Sequence, residues 1–162
     1  MTLPGGLARL FWAAAALSLG VVAAALYTQH ALDMLPCPWC VLQRLIFVIV
    51  ALAALCGAAF NNRTGRLLAA SLMLLGAAAG MAAALWQHGV AASTTGCKLT
   101  LADRIISATG LDAWLPGVFG VWATCADAAV DLLGLPYEAW SLLAFALLGA
   151  ITVRLFFLLL RG

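Results

Sequence analysis

The sequence predicts an all-α integral membrane protein, a four-transmembrane-helix bundle with two loops on its outer side. Of its 162 residues, 66% are hydrophobic and only 9% are charged, and the mean hydropathy is +1.11, which is unlike a soluble globular domain. Four apolar stretches each approach the ~20 residues that cross a bilayer as a helix. We expect one membrane domain, residues 1–162, with spans at roughly 7–26, 41–60, 67–86 and 139–160.

The first span has an alternative interpretation as a cleaved signal peptide, because it follows Arg9 and ends in small residues. Its apolar run is longer than the core of a signal peptide, about 7 to 15 residues. Removal of this segment would also disturb the distribution of basic residues along the chain. We therefore treat it as a helix.

Basic residues set the expected orientation. Four of them, Arg9, Arg63, Arg66 and Arg161, flank the spans on one side, which the positive-inside rule assigns to the cytoplasm. All six acidic residues fall on the other side. Both termini are then cytoplasmic, and the loops at roughly 27–40 and 87–138 lie outside. The net charge of +2 indicates no nucleic-acid partner.

The second outer loop is too long to be a simple connection, and its sequence predicts short helices at the membrane interface. Thr100 and Asp103 match a capping box, and Gly110 would end the helix that follows. The apolar face of this helix would consist of Leu101, Ile105 and Ile106. Aromatic and apolar residues then recur every four positions at Trp114, Val118 and Trp122, which is typical of interfacial anchoring.

Five cysteines occur, and four of them (Cys37, Cys40, Cys97 and Cys125) map to the outer side. That distribution fits an oxidising compartment. A disulfide between Cys37 and Cys40 would close too short a loop to contribute much as a staple. The sequence contains neither a second Cys-x-x-Cys nor a His pair, so we expect no metal site and favour redox chemistry. Cys56, deep in the second span, is expected to be a small apolar filler.

The segment around the Cys-x-x-Cys places further polar groups near the sulfurs. Pro38 suits a first helical turn, so Cys40 would lie near a helix N-terminus that favours a thiolate. Arg44 follows one turn later on the same face and could hold a quinone oxygen, or could simply anchor the helix at the interface. His88, at the outer end of the third span, could donate a hydrogen bond to a quinone. His30 is more typical of an ordinary interface residue.

With these residues in view, the chain resembles the disulfide bond formation protein B (DsbB) family of bacterial inner-membrane quinone reductases. The resemblance covers four spans, Cys37 and Cys40 followed by Gln43 and Arg44, and a cysteine pair in the second loop. Other matching segments are WLPGVF, the Cys-Ala at 125–126 and LLGL at 132–135.

The resemblance implies a function and assigns roles to residues. The partner would be a periplasmic DsbA-like thiol oxidase of thioredoxin fold, and the electron acceptor a membrane quinone, either ubiquinone or menaquinone. Cys97 would be attacked by the partner, and Cys125 would then attack Cys37 and free Cys40 as the thiolate beside the quinone. Arg44 corresponds to the family's quinone-site arginine, and His88 matches a histidine found after the third span. The segment from His88 to Cys97 is shorter than in the best-known members.

Two other functions are compatible with part of the sequence. A vitamin K epoxide reductase-like protein performs related chemistry, but in that family the loop cysteines precede the Cys-x-x-Cys, whereas here Cys37 and Cys40 come first. A non-enzymatic membrane scaffold with inert disulfides would leave its disulfides unchanged in the presence of quinone and partner thiols.

Overall fold

The computed structural model describes residues 5–89 and 100–161, and four long helices dominate it. These helices are α1 (Gly5–Ala31), α2 (Pro38–Ala59), α3 (Arg63–Gly89) and α7 (Tyr137–Arg161). All four are long and apolar enough to cross a membrane. The predicted fold class, an all-α membrane bundle of four helices, is therefore confirmed.

The four helices pack in a closed ring, α1 against α2, α2 against α3, α3 against α7, and α7 against α1. Two aromatic rings stack at its centre, with the Phe47 and Phe145 centroids 3.9 Å apart and the planes 6° from parallel. Glycines on neighbouring helices leave room for bulky rings, since Gly80 faces the Phe145 ring and Gly57 faces the Phe11 ring. The Ala- and Gly-rich spans thus allow close helix packing.

Short elements precede α7 at the end of the bundle where α2 begins. They are α4 (Leu101–Thr109), α5 (Leu111–Trp114), α6 (Pro116–Phe119), β1 (Asp131–Leu132) and β2 (Leu135–Pro136). The short helices predicted for this loop are present, although their contact with a bilayer stays a prediction. Trp114 is 75% exposed at the end of α5, and Trp122 is 57% exposed beyond the end of α6, so the two do not share a helix.

Helix α4 begins and ends as its sequence indicates. The Thr100 hydroxyl accepts from the Asp103 N–H at 3.2 Å, the Asp103 carboxylate accepts from the Thr100 N–H at 2.7 Å, and Gly110 ends the helix in a left-handed conformation. The predicted apolar face is only partly right. Ala102 and Ile106 are buried against the start of α2, whereas Leu101 and Ile105 are exposed.

The short hairpin of β1 and β2 was not predicted. Asp131 pairs with Pro136 and Leu132 with Leu135, and Leu133 and Gly134 turn the chain with positive φ angles of 55° and 79°. The hairpin leads directly into α7, so it fixes where that helix begins.

Cys56 does not fill the core as expected. Its side chain is exposed on the outward face of α2, along with Ile49 and Leu52. The buried face of the helix is formed by Ala53, Ala54 and Gly57, and helical geometry turns Cys56 away from it.

Candidate functional site

The Cys-x-x-Cys pair lies where α2 begins. Cys37 is the N-cap residue, and Pro38 occupies the first helical position, where its missing N–H costs no hydrogen bond. The backbone N–H of Cys40 donates to the Cys37 sulfur at 3.3 Å, and the two Sγ atoms are 2.7 Å apart. Cys37 is fully buried and Cys40 half-buried. The helix start therefore holds both sulfurs together at the positive end of the helix dipole.

Cys125 reaches the same place from the second outer loop. Two backbone hydrogen bonds hold this loop against the residue before Cys37. The Pro36 carbonyl accepts from the N–H groups of Trp122 at 3.0 Å and Ala123 at 3.3 Å. The Cys125 thiol forms a hydrogen bond with Cys37, and this bond lowers the pKa of Cys125. The pKa of Cys37 is raised by its hydrogen bonds to Cys125 and Cys40 and by burial. Cys37 is thus the central sulfur of three.

Arg44 is buried beside this cluster and is held by neutral acceptors. It is 4% exposed, and its guanidinium donates to Gln29 Oε1, to the Val118 carbonyl at 3.0 Å and to the Ala25 carbonyl at 3.2 Å. Within residues 5–89 and 100–161 no carboxylate forms an ion pair with it. A buried cation with only neutral partners attracts an anion or a polarised oxygen.

Two buried glutamines complete the polar contacts around Cys40: Gln87, which sequence reasoning missed, and Gln43, which it noted only as part of the family motif. Gln87 of α3 donates from Nε2 to the Cys40 sulfur at 3.3 Å, and its Oε1 accepts from Gln43 Nε2 at 2.8 Å. They are 2% and 3% exposed. The only sequence signal was an amide side chain within an apolar span, which in membranes is seldom placed without a partner.

A small cavity of about 20 Å³ lies next to Cys40 and Arg44, and a second cavity of the same size is also lined by Cys40, Arg44 and Tyr137. A larger apolar groove of about 350 Å³ runs between α1 and α7 toward the first cavity. The groove and the first cavity share Val21, Ala25, Tyr137 and Ser141. The groove at the helix surface therefore adjoins the cavity beside Cys40.

His88 lies outside these cavities, and a carboxylate stands between its ring and the sulfur cluster. Its Nδ1 is 2.7 Å from Oε1 of Glu138, in the first turn of α7, and the His88 side chain is 64% exposed. Glu138 lines the first cavity together with Cys40 and Arg44. Sequence analysis did not single out Glu138, because an acid in a first helical turn is ordinarily a surface residue.

The sequence analysis also considered Cys97 and His30. Cys97 lies outside the described residues, so its predicted role stays a prediction. His30 is exposed at the end of α1.

Comparison with known proteins gives a consistent result. A family model for disulfide bond formation protein DsbB matches residues 8–155. The disulfide bond formation protein B of Burkholderia pseudomallei is 33% identical over 156 residues, 95% of this chain and 91% of the relative. Its counterpart in Pseudomonas syringae pv. tomato is 35% identical over 131 residues, covering 80% and 77%. That of Nitrosospira multiformis is 32% identical over 137 residues, covering 83% and 82%.

A four-helix membrane bundle with clustered thiols at one end defines a class of protein, the membrane-embedded disulfide oxidoreductases. Within that class, the chain belongs to the DsbB family of disulfide bond formation proteins, because the family model spans most of its length. Membership implies a multi-pass membrane protein with a thiol oxidase as its partner.

Proposed function

We propose that the protein is a protein-disulfide:quinone oxidoreductase of the bacterial inner membrane. It reoxidises a DsbA-like periplasmic oxidase of thioredoxin fold and reduces a membrane quinone. The partner's dithiol loses two electrons and two protons, and the quinone gains both. The observation that carries this proposal is the order of the sulfurs, in which Cys125 contacts Cys37, Cys37 contacts Cys40, and Cys40 lines the cavity beside Arg44.

Electrons would cross this cluster by thiol–disulfide exchange. In the oxidised protein Cys97 and Cys125, the cysteine pair of the second loop, would form one disulfide. A partner thiolate attacks Cys97 and forms a mixed disulfide, which breaks the Cys97–Cys125 bond and releases Cys125 as thiolate. Cys125 attacks Cys37, and Cys40 leaves as thiolate. The partner's second thiolate then frees Cys97, and Cys97 attacks Cys125 to restore the first disulfide and release Cys37.

The residues beside Cys40 fit a quinone. When bound, a quinone supplies a two-electron acceptor with polarised oxygens and an apolar tail. Arg44 is buried, and its partners among the described residues are all neutral. Its guanidinium would hold a quinone oxygen. The 350 Å³ groove between α1 and α7 is within the usual size of small-molecule sites and is almost wholly apolar, as a tail requires. The first cavity alone is water-sized, so the groove must supply the volume that a quinone needs.

The distribution of charges supports the proposed orientation. Arg63, which donates to the Leu160 carbonyl, lies with Arg161 at the end of the bundle away from the cysteine cluster. The positive-inside rule then puts both termini in the cytoplasm and the cluster in the periplasm, where disulfides persist.

The test is quinone reduction by the detergent-purified protein supplied with a reduced thioredoxin-fold periplasmic oxidase, with ubiquinone and menaquinone analogues assayed in parallel. We expect turnover with one or both, and the preferred analogue identifies the acceptor. Absence of turnover with both, in protein shown to be folded, would favour the inert scaffold and contradict the proposal.

The Gln87 contact predicts a separate effect on Cys40. Replacement by Leu removes the amide N–H that donates to the sulfur, so quinone reduction should slow about tenfold, the value of one hydrogen bond to a charged group. The same variant should slow the reaction of Cys40 with iodoacetamide. Ser71→Ala is the matched control, because Ser71 is also on α3 and bonds only to the Leu67 carbonyl of its own helix. Equal rates in Q87L and S71A would refute this role.

A further inference from the structure

One acidic residue, Glu138, is buried at the outer end of the bundle and connected to the surface by a histidine. Glu138 is 6% exposed, and its Oε1 lies 2.7 Å from Nδ1 of the well-exposed His88. We propose that His88 and Glu138 form the route by which protons from the outer surface reach the quinone site. This inference rests on the proposed function and assigns Glu138 a role that the family resemblance did not supply.

The cavity next to Glu138 extends this route inward. Its volume of about 20 Å³ suits one water molecule, which needs several polar partners. Its polar lining comes from three of the long helices and comprises Cys40, Gln43, Arg44, Gln87, Tyr137, Glu138 and Ser141. From α1 it receives only Val21, Val22 and Ala25. A proton on Glu138 is therefore within one water-sized space of Cys40 and Arg44.

Charge pairing leaves Glu138 able to exchange a proton. In the described residues its ion-pair partner is His88, not Arg44. An Arg44 pair would hold the carboxylate permanently ionised, since arginine does not deprotonate. A histidine is not fixed in the charged form, and its two ring nitrogens can receive a proton on one side and donate one on the other.

The proton balance of the reaction creates the need for such a route. Oxidation of the Cys37 and Cys40 dithiol releases two electrons and two protons, and conversion of quinone to quinol takes up the same number. Cys40 is freed as a thiolate, so it carries no proton to the quinone. The protons that thiols give up during exchange at the outer face must therefore reach the quinone oxygens by another path. His88 Nε2 takes a proton from water, Nδ1–H donates to Glu138 Oε1, and Glu138 releases a proton toward the cavity.

A purely structural role for Glu138 makes different predictions. An acid in the first turn of α7 stabilises the helix dipole. Its loss would then lower thermal stability and disturb the site as a whole. It would not act on proton transfer alone.

The experiment uses the full-length purified protein with Glu138→Gln, Glu138→Asp and His88→Ala. Asp131→Asn and His30→Gln are matched controls, because both residues are exposed on the same side of the bundle. Three quantities are measured for each: disulfide exchange with the reduced partner without quinone, affinity for a quinone analogue, and quinone reduction in H₂O and D₂O. Reduction by H88A is also measured with added imidazole.

We expect E138Q to slow quinone reduction about a hundredfold, the usual contribution of a positioned proton-transfer group. Exchange without quinone and analogue affinity should stay at wild-type values, the solvent isotope effect should rise, E138D should keep part of the rate, and imidazole should partly restore H88A. Wild-type reduction rates in E138Q, or an equal loss of affinity and rate with no change in isotope effect, would overturn the inference. If wild-type protein exchanges disulfides but reduces neither quinone, the proposed function itself fails.

Discussion

Cys40→Ser is expected to abolish quinone reduction. Cys40 is the sulfur of the cluster that lines the cavity, and a serine hydroxyl can neither form a disulfide with Cys37 nor serve as a thiolate donor. The partner's dithiol should still exchange with the second-loop disulfide for a single round. The measurement is quinone absorbance during turnover, together with the redox state of the partner on a gel after alkylation.

Cys56→Ser is the control for this variant. Cys56 is on the same helix as Cys40 but faces outward, so its replacement should leave the rate unchanged. A normal quinone rate in C40S would rule out the proposed electron route. Loss of single-round exchange in C40S would instead indicate that the substitution disturbs the outer loops.

Arg44→Ala is expected to give the next largest loss. Removing one preorganised donor to a developing oxyanion costs on the order of a hundredfold in rate, and Arg44 is buried with all its contacts set by α1 and the Val118 carbonyl. Quinone reduction should fall by about that factor. The second-loop disulfide should still form, because the hydrogen bonds from the Trp122 and Ala123 N–H groups to the Pro36 carbonyl hold the loop close to Cys125 even when the Arg44 contact with the Val118 carbonyl is lost.

Arg44→Lys and Arg154→Ala sharpen the interpretation. Lysine keeps the charge but cannot reproduce three separate contacts, so R44K should recover only part of the rate. Arg154 is an exposed arginine of α7, and its loss should have no effect on quinone use. If R44A and R154A had equal quinone rates, Arg44 would be an anchor of the helix only.

Local signals in the sequence were sufficient for part of this architecture. Hydropathy located the four long helices, and the capping residues Thr100, Asp103 and Gly110 located α4. Pro38 and the four-residue spacing of Cys40 and Arg44 predicted that both lie near the start of one helix on the same face. In the structure both residues line one cavity. These features depend on residues close together in the chain.

Other features depend on contacts between distant segments, which a single sequence does not reveal. The pairing of Gln43 with Gln87 joins α2 to α3, and burial of Glu138 requires α3 and α7 to pack side by side. The outward position of Cys56 follows from which face of α2 meets its neighbours. In a span that is apolar all round, the hydrophobic pattern does not identify that face.

The exposed position of Cys56 has a practical consequence for thiol counting. Five cysteines cannot all pair within one chain, so the fully oxidised protein retains at least one thiol, and we expect that thiol on the lipid-facing surface of α2. A thiol titration of the oxidised protein should therefore level off at one per chain. The same sulfur offers an attachment point for a spin label that reports depth in the bilayer while the redox cysteines remain disulfide-bonded.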